Sequence, residues 1–409
     1  MAFAVVIAAL VAAFGFPVPA FADEIRDDQY QLRALDARAA WQHATGAGVT
    51  VAVLDSGVDA THPDLVGQVL PGADFVDGSS DGRHDYVGHG TTVAGLIAGR
   101  NDDGAGVVGI APHAKILPVR VLDSDNKYDD ATVVANGLRW AVDHGARVAN
   151  ISLGGSTRSD ALAAALEYAA DHDVVVIACT GNVTSNAAST EVWYPAREAG
   201  VVAVAGLAGG ESGGAPAGGA TTGGAGGAGG ASGALWSGSL TGRQTVLAAP
   251  AVNLIGARPG GYWRVQGTSF AAPLVTAAAT LVRSRWPGMD AANVVNRLIR
   301  TAKDLGAPGR DDRYGYGEVD PVAALTASVP TVRRNPLEAG AGKETVIQRL
   351  REQVVATKPA TATAADRARA VLRPVRIFVG LSTGLAVFLL LLAGGIVLVR
   401  RRAQGGSPS

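Results

Sequence analysis

Sulfur is nearly absent from this chain: one cysteine, Cys179, and two methionines in 409 residues. A lone thiol excludes an intramolecular disulfide and any thiolate-bound metal cluster. A chain of this length can bury enough surface to do without either. Net charge is missing as well. Lys plus Arg number 35 against 36 Asp plus Glu, a formal charge of −1, so no strong positive field exists to hold a phosphate backbone. That argues against nucleic acid as a partner. Apolar residues, at 48%, are plentiful enough for a large core, which excludes disorder of the chain as a whole.

Both ends carry apolar runs. Residues 2–16 are almost wholly apolar and are followed by Ala20-Phe21-Ala22. This Ala-x-Ala pattern before Asp23 reads as a signal peptide spanning 1–22, although no Lys or Arg precedes the run. Residues 377–399 form 23 positions without a charge, long enough to cross roughly 30 Å of hydrocarbon as a helix. Arg400, Arg401 and Arg402 follow directly and would anchor it on the cytoplasmic side. Arginines also precede the run, at 367, 369, 373 and 376. The signal peptide therefore sets the orientation: residues 23–376 outside, a single span, and a short cytoplasmic tail, 400–409.

From Val49 onwards short β-branched runs alternate with helical patterns. Strands are expected at 49–54, 115–121, 148–151, 174–178, 201–205, 246–248 and 254–255. Helices are expected at 91–98, 130–144, 159–171, 270–285 and 291–301. Runs such as Val174-Val175-Val176-Ile177-Ala178 are apolar on both faces, the mark of a parallel sheet covered by helices, so the fold class is α/β. The segment 23–48 is too short to be a domain and precedes a catalytic domain at 49–327. Within it, 206–233 holds 14 glycines in 28 positions, which reads as a mobile loop because little side chain is available to offset ordering entropy. Residues 328–376, with Pro330, Pro336 and an Ala/Thr-rich run, read as a stalk.

Three motifs carry chemistry. Asp55 lies in Val53-Leu54-Asp55-Ser56-Gly57, at the end of a buried strand, where α/β sheets place functional groups. His89 stands between glycines in Gly88-His89-Gly90-Thr91-Thr92, opening a helix, and Ser269 begins a long apolar helix in Gly267-Thr268-Ser269-Phe270-Ala271-Ala272-Pro273. A serine hydroxyl becomes a useful nucleophile when a base takes its proton. Imidazole titrates near neutrality and can accept that proton and return it to a leaving amine. A carboxylate fixes the imidazole tautomer. Asp85, four residues before His89, competes for that last role, but the strand-end position favours Asp55 and leaves Asp85 a loop role. Asn182, just past the strand ending near Ala178, could donate to a tetrahedral oxyanion, a contribution of about 3–4 kcal/mol. His62 is expected to buttress the Asp55 loop, and Thr91, Thr92 and Thr268 to be structural hydroxyls near helix starts. Cys179 is expected to be a small buried apolar residue.

The order Asp, His, Ser within DSG, GHGTTVAG and GTSFAAP resembles the subtilisin-like serine proteases over about residues 40–325. The resemblance implies Asp55, His89 and Ser269 as the triad, Asn182 as oxyanion donor, and a three-layer fold around a mainly parallel sheet of about seven strands. It also implies an edge strand at 150–154, whose Ser152, Leu153 and Gly154 bind substrate by β-addition. A narrower resemblance is to the mycosins, membrane-anchored subtilases of type VII secretion systems. It rests on the terminal runs, Gln31 and Trp41, Gly315-Tyr316-Gly317-Glu318-Val319-Asp320-Pro321, Val329-Pro330 and Asn335-Pro336-Leu337. The lone cysteine, Tyr86 and the Gly-rich insert depart from the mycobacterial members.

The implied function is extracytoplasmic serine endopeptidase activity on a protein substrate at the cell membrane, in contact with a type VII secretion complex. Two alternatives stand beside it: a structural component of that complex with minor proteolysis, or a general surface protease. No cofactor is required. Asn101-Asp102-Asp103-Gly104 resembles a loop that binds calcium in some subtilases, but it offers few of the 6–8 oxygens calcium takes. The cluster Asp123, Asp125, Asn126, Asp129 and Asp130 reads as a solvated loop, with a metal or a substrate subsite as alternatives. No inhibitory pro-domain fits in 23–48, and that segment is expected to wrap the domain as a belt.

Overall fold

A computed structural model describes residues 21–128, 130–183, 191–209 and 233–338. Residues 1–20 of the expected signal peptide, most of the Gly-rich loop, the stalk beyond 338, the transmembrane span and the tail lie outside them. Among the described residues, no helix is long and apolar enough to cross a membrane.

Seven strands form one parallel sheet in the order β2-β3-β1-β4-β5-β6-β7: β1 (Thr50–Asp55), β2 (Ala73–Asp74), β3 (Lys115–Arg120), β4 (Val148–Ile151), β5 (Val175–Cys179), β6 (Val202–Leu207) and β7 (Leu247–Pro250). Strands β4 to β7 are buried along their whole length, as expected when helices cover both faces. The chain runs from β1 out to β3, then crosses back over β1 to β4 and continues the other way. That reversal puts a crevice at the carboxyl ends of β1 and β4, where doubly wound sheets bind ligands.

Helices cover both faces. Leu54 is level with both Val119 and Ile151, so Val119 and Asn150 point to opposite sides. Helix α5 (Ala131–Asp143) lies on the Val119 side, where Gly137 meets the Val119 and Val121 methyls. Helix α7 (Thr268–Arg285) lies on the Asn150 side, its Thr276 hydroxyl donating to Asn150 Oδ1 at 2.8 Å. Helix α4 (His89–Ala98) packs against α7, and α6 (Asp160–Asp171) against α5. Asp130, Ser159, Asp290 and Asp320 accept from first-turn N–H groups as N-caps of α5, α6, α8 (Ala291–Thr301) and α9 (Pro321–Thr326), each worth about 1 kcal/mol. The short strand expected at 254–255 is the start of β8 (Leu254–Arg258), which forms a separate antiparallel hairpin with β9 (Gly261–Val265).

The N-terminal segment, with α1 (Phe21–Asp27), α2 (Tyr30–Ala34) and α3 (Ala37–Trp41), lies along the domain. Gln29, buried, donates to Val108 O at 3.0 Å and accepts from Val108 N at 2.8 Å. Tyr30 Oη donates to Val252 O and Trp41 Nε1 to Ile110 O. At the other end, residues 328–338 do not stand apart as a stalk. Asn296 donates to Pro330 O, Asn293 exchanges two bonds with Val332, and Asn335 donates to Gly200 O, so the ordered domain runs past 327.

Replacing Gln29 with Ala leaves both polar groups of Val108 buried without partners. The expected cost is about 2–4 kcal/mol, measured as a lower denaturant midpoint with an unchanged slope.

Candidate active site

The site is assembled around a buried carboxylate. Asp85 accepts from five donors: Ser56 Oγ, Val87 N and Gly88 N on one oxygen, Thr91 N and Thr91 Oγ1 on the other, all at 2.6–3.0 Å. Ser56 follows the end of β1, and Thr91 lies in the first turn of α4, so Asp85 ties strand end to helix start. Gly88 makes the entry possible with φ +86°, a conformation that costs glycine little. Ser56 Oγ also receives Gly90 N at 3.0 Å.

This clamp sets His89 Nδ1 2.7 Å from Asp55 Oδ1. Asp55, not Asp85, is the imidazole's partner. Asp55 is fully buried, whereas the His89 side chain keeps 14% of its surface open. Burial of the ring disfavours its charged form. The charge and hydrogen bond of Asp55, helped by the charge of Asp85 and opposed by Arg258, outweigh that, and the His89 pKa lies above its ordinary value. Phe270 packs on the ring with centroids 5.1 Å apart.

Ser269 sits in the first turn of α7, and Pro273 lies four residues on. A proline cannot supply the N–H that Ser269 O would accept in a regular helix. The Ser152 hydroxyl replaces it, donating to Ser269 O at 2.7 Å. Ser152 Oγ in turn receives Asn150 Nδ2 at 2.9 Å, and Asn150 is held by Thr276. A buried relay thus runs from β4 to the serine's backbone. The Ser269 hydroxyl itself points to Cys179 Sγ, 3.9 Å away, and makes no hydrogen bond to His89 among the described residues. Cys179 is wholly buried, which pushes its thiol up to about 11 and keeps it neutral.

Asn182 is oriented by Thr268. Its Oδ1 accepts from Thr268 N at 3.0 Å and Thr268 Oγ1 at 2.9 Å, while Thr268 Oγ1 receives Gly181 N at 3.2 Å. With the oxygen so engaged, Nδ2 is the end turned to the crevice, and it bonds no described residue. Ser269 N–H, second in α7, has no intrahelical acceptor. Both donors are available to an anion beside the Ser269 hydroxyl.

Some expectations need correcting. β4 is not an edge strand, since β1 and β5 flank it. Only residues 152–155, beyond its end, leave the sheet. The Ser152 side chain faces inward to Ser269, so what Ser152, Leu153 and Gly154 can offer a peptide is backbone. His62 braces the loop after Asp55, its Nδ1 accepting from Asp64 N at 3.2 Å, and also ties that loop to the hairpin, with Nε2 3.1 Å from Gly261 O and its ring edge-on to Tyr262. In the 101–104 loop Arg100 pairs with Asp102, and Arg26 pairs with Asp103. Asp123 closes a turn through Asp125 N and Lys127 N, Asp130 caps α5, and Asp129 lies outside the described residues. Asp85 has the expected loop role and Thr268 is the expected structural hydroxyl at a helix start; the inward role of Ser152 was not legible in sequence, although Pro273 at four residues past a serine was a signal that its carbonyl needs another donor.

Taken as chemistry, these groups can activate a serine, hold the imidazole that serves it and meet an oxyanion. They define a serine hydrolase built on a doubly wound α/β sheet. The profile of the subtilase family, peptidase S8, matches residues 46–317, and this chain belongs to that family. Fervidolysin of Fervidobacterium pennivorans is 36% identical over 328 residues, 76% of this chain but only 45% of its own, so the match spans less than half of that protein. Subtilisin E of Bacillus subtilis is 37% identical over 284 residues, 69% of this chain and 67% of the other. Among solved structures, the MycP3 protease from the type VII (ESX-3) secretion system matches with TM-score 0.61 and 32% identity, covering 73% of this chain and 88% of that one. MycP1 from Mycobacterium smegmatis matches with TM-score 0.63 and 29% identity, covering 78% and 89%.

NMR titration of His89 is expected to give a midpoint above the usual value of about 6.5, and Asp55→Asn to move it to lower pH. By linkage the ion pair stabilises the fold fully below the unfolded-state pKa. That stabilisation is lost as pH rises through the folded-state pKa. A midpoint unmoved by Asp55→Asn would contradict the pairing.

Proposed function

We propose that this chain is an extracytoplasmic serine endopeptidase of the mycosin kind, anchored to the membrane by residues 377–399 and working beside a type VII secretion complex. The observation that carries the chemistry is the 2.7 Å contact of His89 with Asp55, at the crevice that also holds Ser269 and the oriented Asn182 amide. The likeness to MycP3 and MycP1 supports the secretion context, and the two apolar runs support the placement.

In this reading a polypeptide lies along residues 152–154, and the Ser269 hydroxyl rotates from Cys179 Sγ to His89 Nε2. His89 takes its proton as Oγ bonds to the scissile carbonyl carbon. The oxygen, now an anion, accepts from Asn182 Nδ2 and Ser269 N–H. The C–N bond breaks as His89 protonates the leaving amine, leaving an acyl-enzyme. A water molecule, deprotonated by His89, then releases the acid and restores the serine. Asp55 holds Nδ1–H throughout and stabilises the imidazolium. Because the base must be neutral, the raised His89 pKa places the acid limb of kcat/KM above about pH 6.5.

Ser269→Ala should abolish peptide hydrolysis in a folded protein, and retained turnover would overturn the triad. Asn182→Ala should lower kcat by roughly 10²–10³ with little change in KM. For the secretion role, null, wild-type and Ser269→Ala strains are compared for export and for new N-termini among exported proteins. New N-termini present with wild type and absent in the other two support the reading. Identical exported proteins in all three strains would overturn the secretion assignment.

A further inference from the structure

The side chain of the residue whose carbonyl is attacked branches from the atom next to that carbonyl. Its receptacle must therefore open beside Ser269 Oγ and Asn182 Nδ2. Strands β4 and β5 are neighbours in the sheet, and their continuations, 152–155 and 180–182, border the space next to those two groups. Glycine stands on each wall, Gly154 on one and Gly181 on the other. The glycine at 181, lacking a Cβ, would by itself leave a slot beside Asn182 for a large side chain.

The slot is already filled by this chain's own Trp193. A methyl group placed on Gly154 would run into the Tyr194 carbonyl oxygen and lie 3.2 Å from Trp193 Cβ, and one on Gly181 would strike the indole itself, at Cδ2 and within 2.6 and 2.8 Å of Cγ and Cε2. The ring thus lies directly on the Gly181 backbone, one residue from Asn182. It is anchored from both sides: Trp193 N donates to Thr180 O at 2.9 Å, Tyr194 N to Gly155 O at 2.8 Å, and Gly155 N to Tyr194 O at 3.0 Å. Trp193 is only half-buried, so the part not packed on the glycines remains open to solvent.

We propose that Trp193 is the floor of the pocket for the residue on the acyl side of the cleaved bond and restricts that residue to glycine, alanine or serine. The proposal rests on the peptidase reading and adds its specificity. An indole merely filling a gap in the core would not change which peptides are cleaved.

The test is a set of peptide p-nitroanilides identical except for Gly, Ala, Leu or Phe at the position before the scissile bond, assayed with the wild type and with Trp193→Gly. The wild type is expected to show kcat/KM at least tenfold higher for Ala than for Phe. Trp193→Gly should reverse that order, mainly through a lower KM for the Phe peptide. Equal or faster wild-type cleavage of the Phe peptide would overturn the floor assignment and leave the peptidase reading intact. So would an unchanged Ala-to-Phe ratio in an active Trp193→Gly protein. Failure to cleave any of the four would count against the peptidase reading and this one together. Should Trp193→Gly not fold, the wild-type ratio still decides.

Discussion

The Asp85 carboxylate fixes the geometry on which the site depends. It is acceptor-only, and it gathers donors from the residue after β1, the turn before α4 and the first helical turn. Each oxygen takes at least two, so the loop has little freedom to shift. Charge-assisted hydrogen bonds of this kind are about twice as strong as neutral ones. The consequence is positional: Asp55 at the end of β1 and His89 at the start of α4, 34 residues apart in sequence, meet at 2.7 Å.

The other half of the site is positioned by what α7 lacks. Pro273 deprives Ser269 O of its helical donor, and β4 supplies one through Ser152, itself fixed by Asn150 and Thr276. The same helix start reaches β5 through Thr268, which turns the Asn182 amide so that its N–H₂ end faces the crevice. Side chains from β4, β5 and α7 therefore reach one small volume without any of them lying on a long loop. Sites built on such elements hold their geometry more closely than sites on loops.

The α/β class, the order of the strands along the chain and most element boundaries were legible because both-face burial leaves continuous apolar runs and N-caps punctuate helices. Asp55, His89, Ser269 and Asn182 stood out because each follows a strand or opens a helix. Less legible was whatever depends on pairing across the sheet. β2 has two residues and no periodicity, and β8 reads like any other short strand until β9 is seen to pair with it. Ser152 reads as a substrate contact through the resemblance of residues 150–154 to a substrate-pairing strand, and only the proline in a distant helix explains why its hydroxyl turns inward and leaves its backbone for that role. Trp193 gave no signal at all, since its meaning comes from two glycines 39 and 12 residues before it.

The central claim of the proposed function is that His89 activates the Ser269 hydroxyl. It is tested most directly by treating the folded protein with phenylmethanesulfonyl fluoride at neutral pH and mapping the product by peptide mass spectrometry. The predicted result is a single sulfonyl adduct on Ser269, forming far more slowly after His89→Ala. An adduct on another residue, or labelling at Ser269 that is indifferent to His89, would contradict the account.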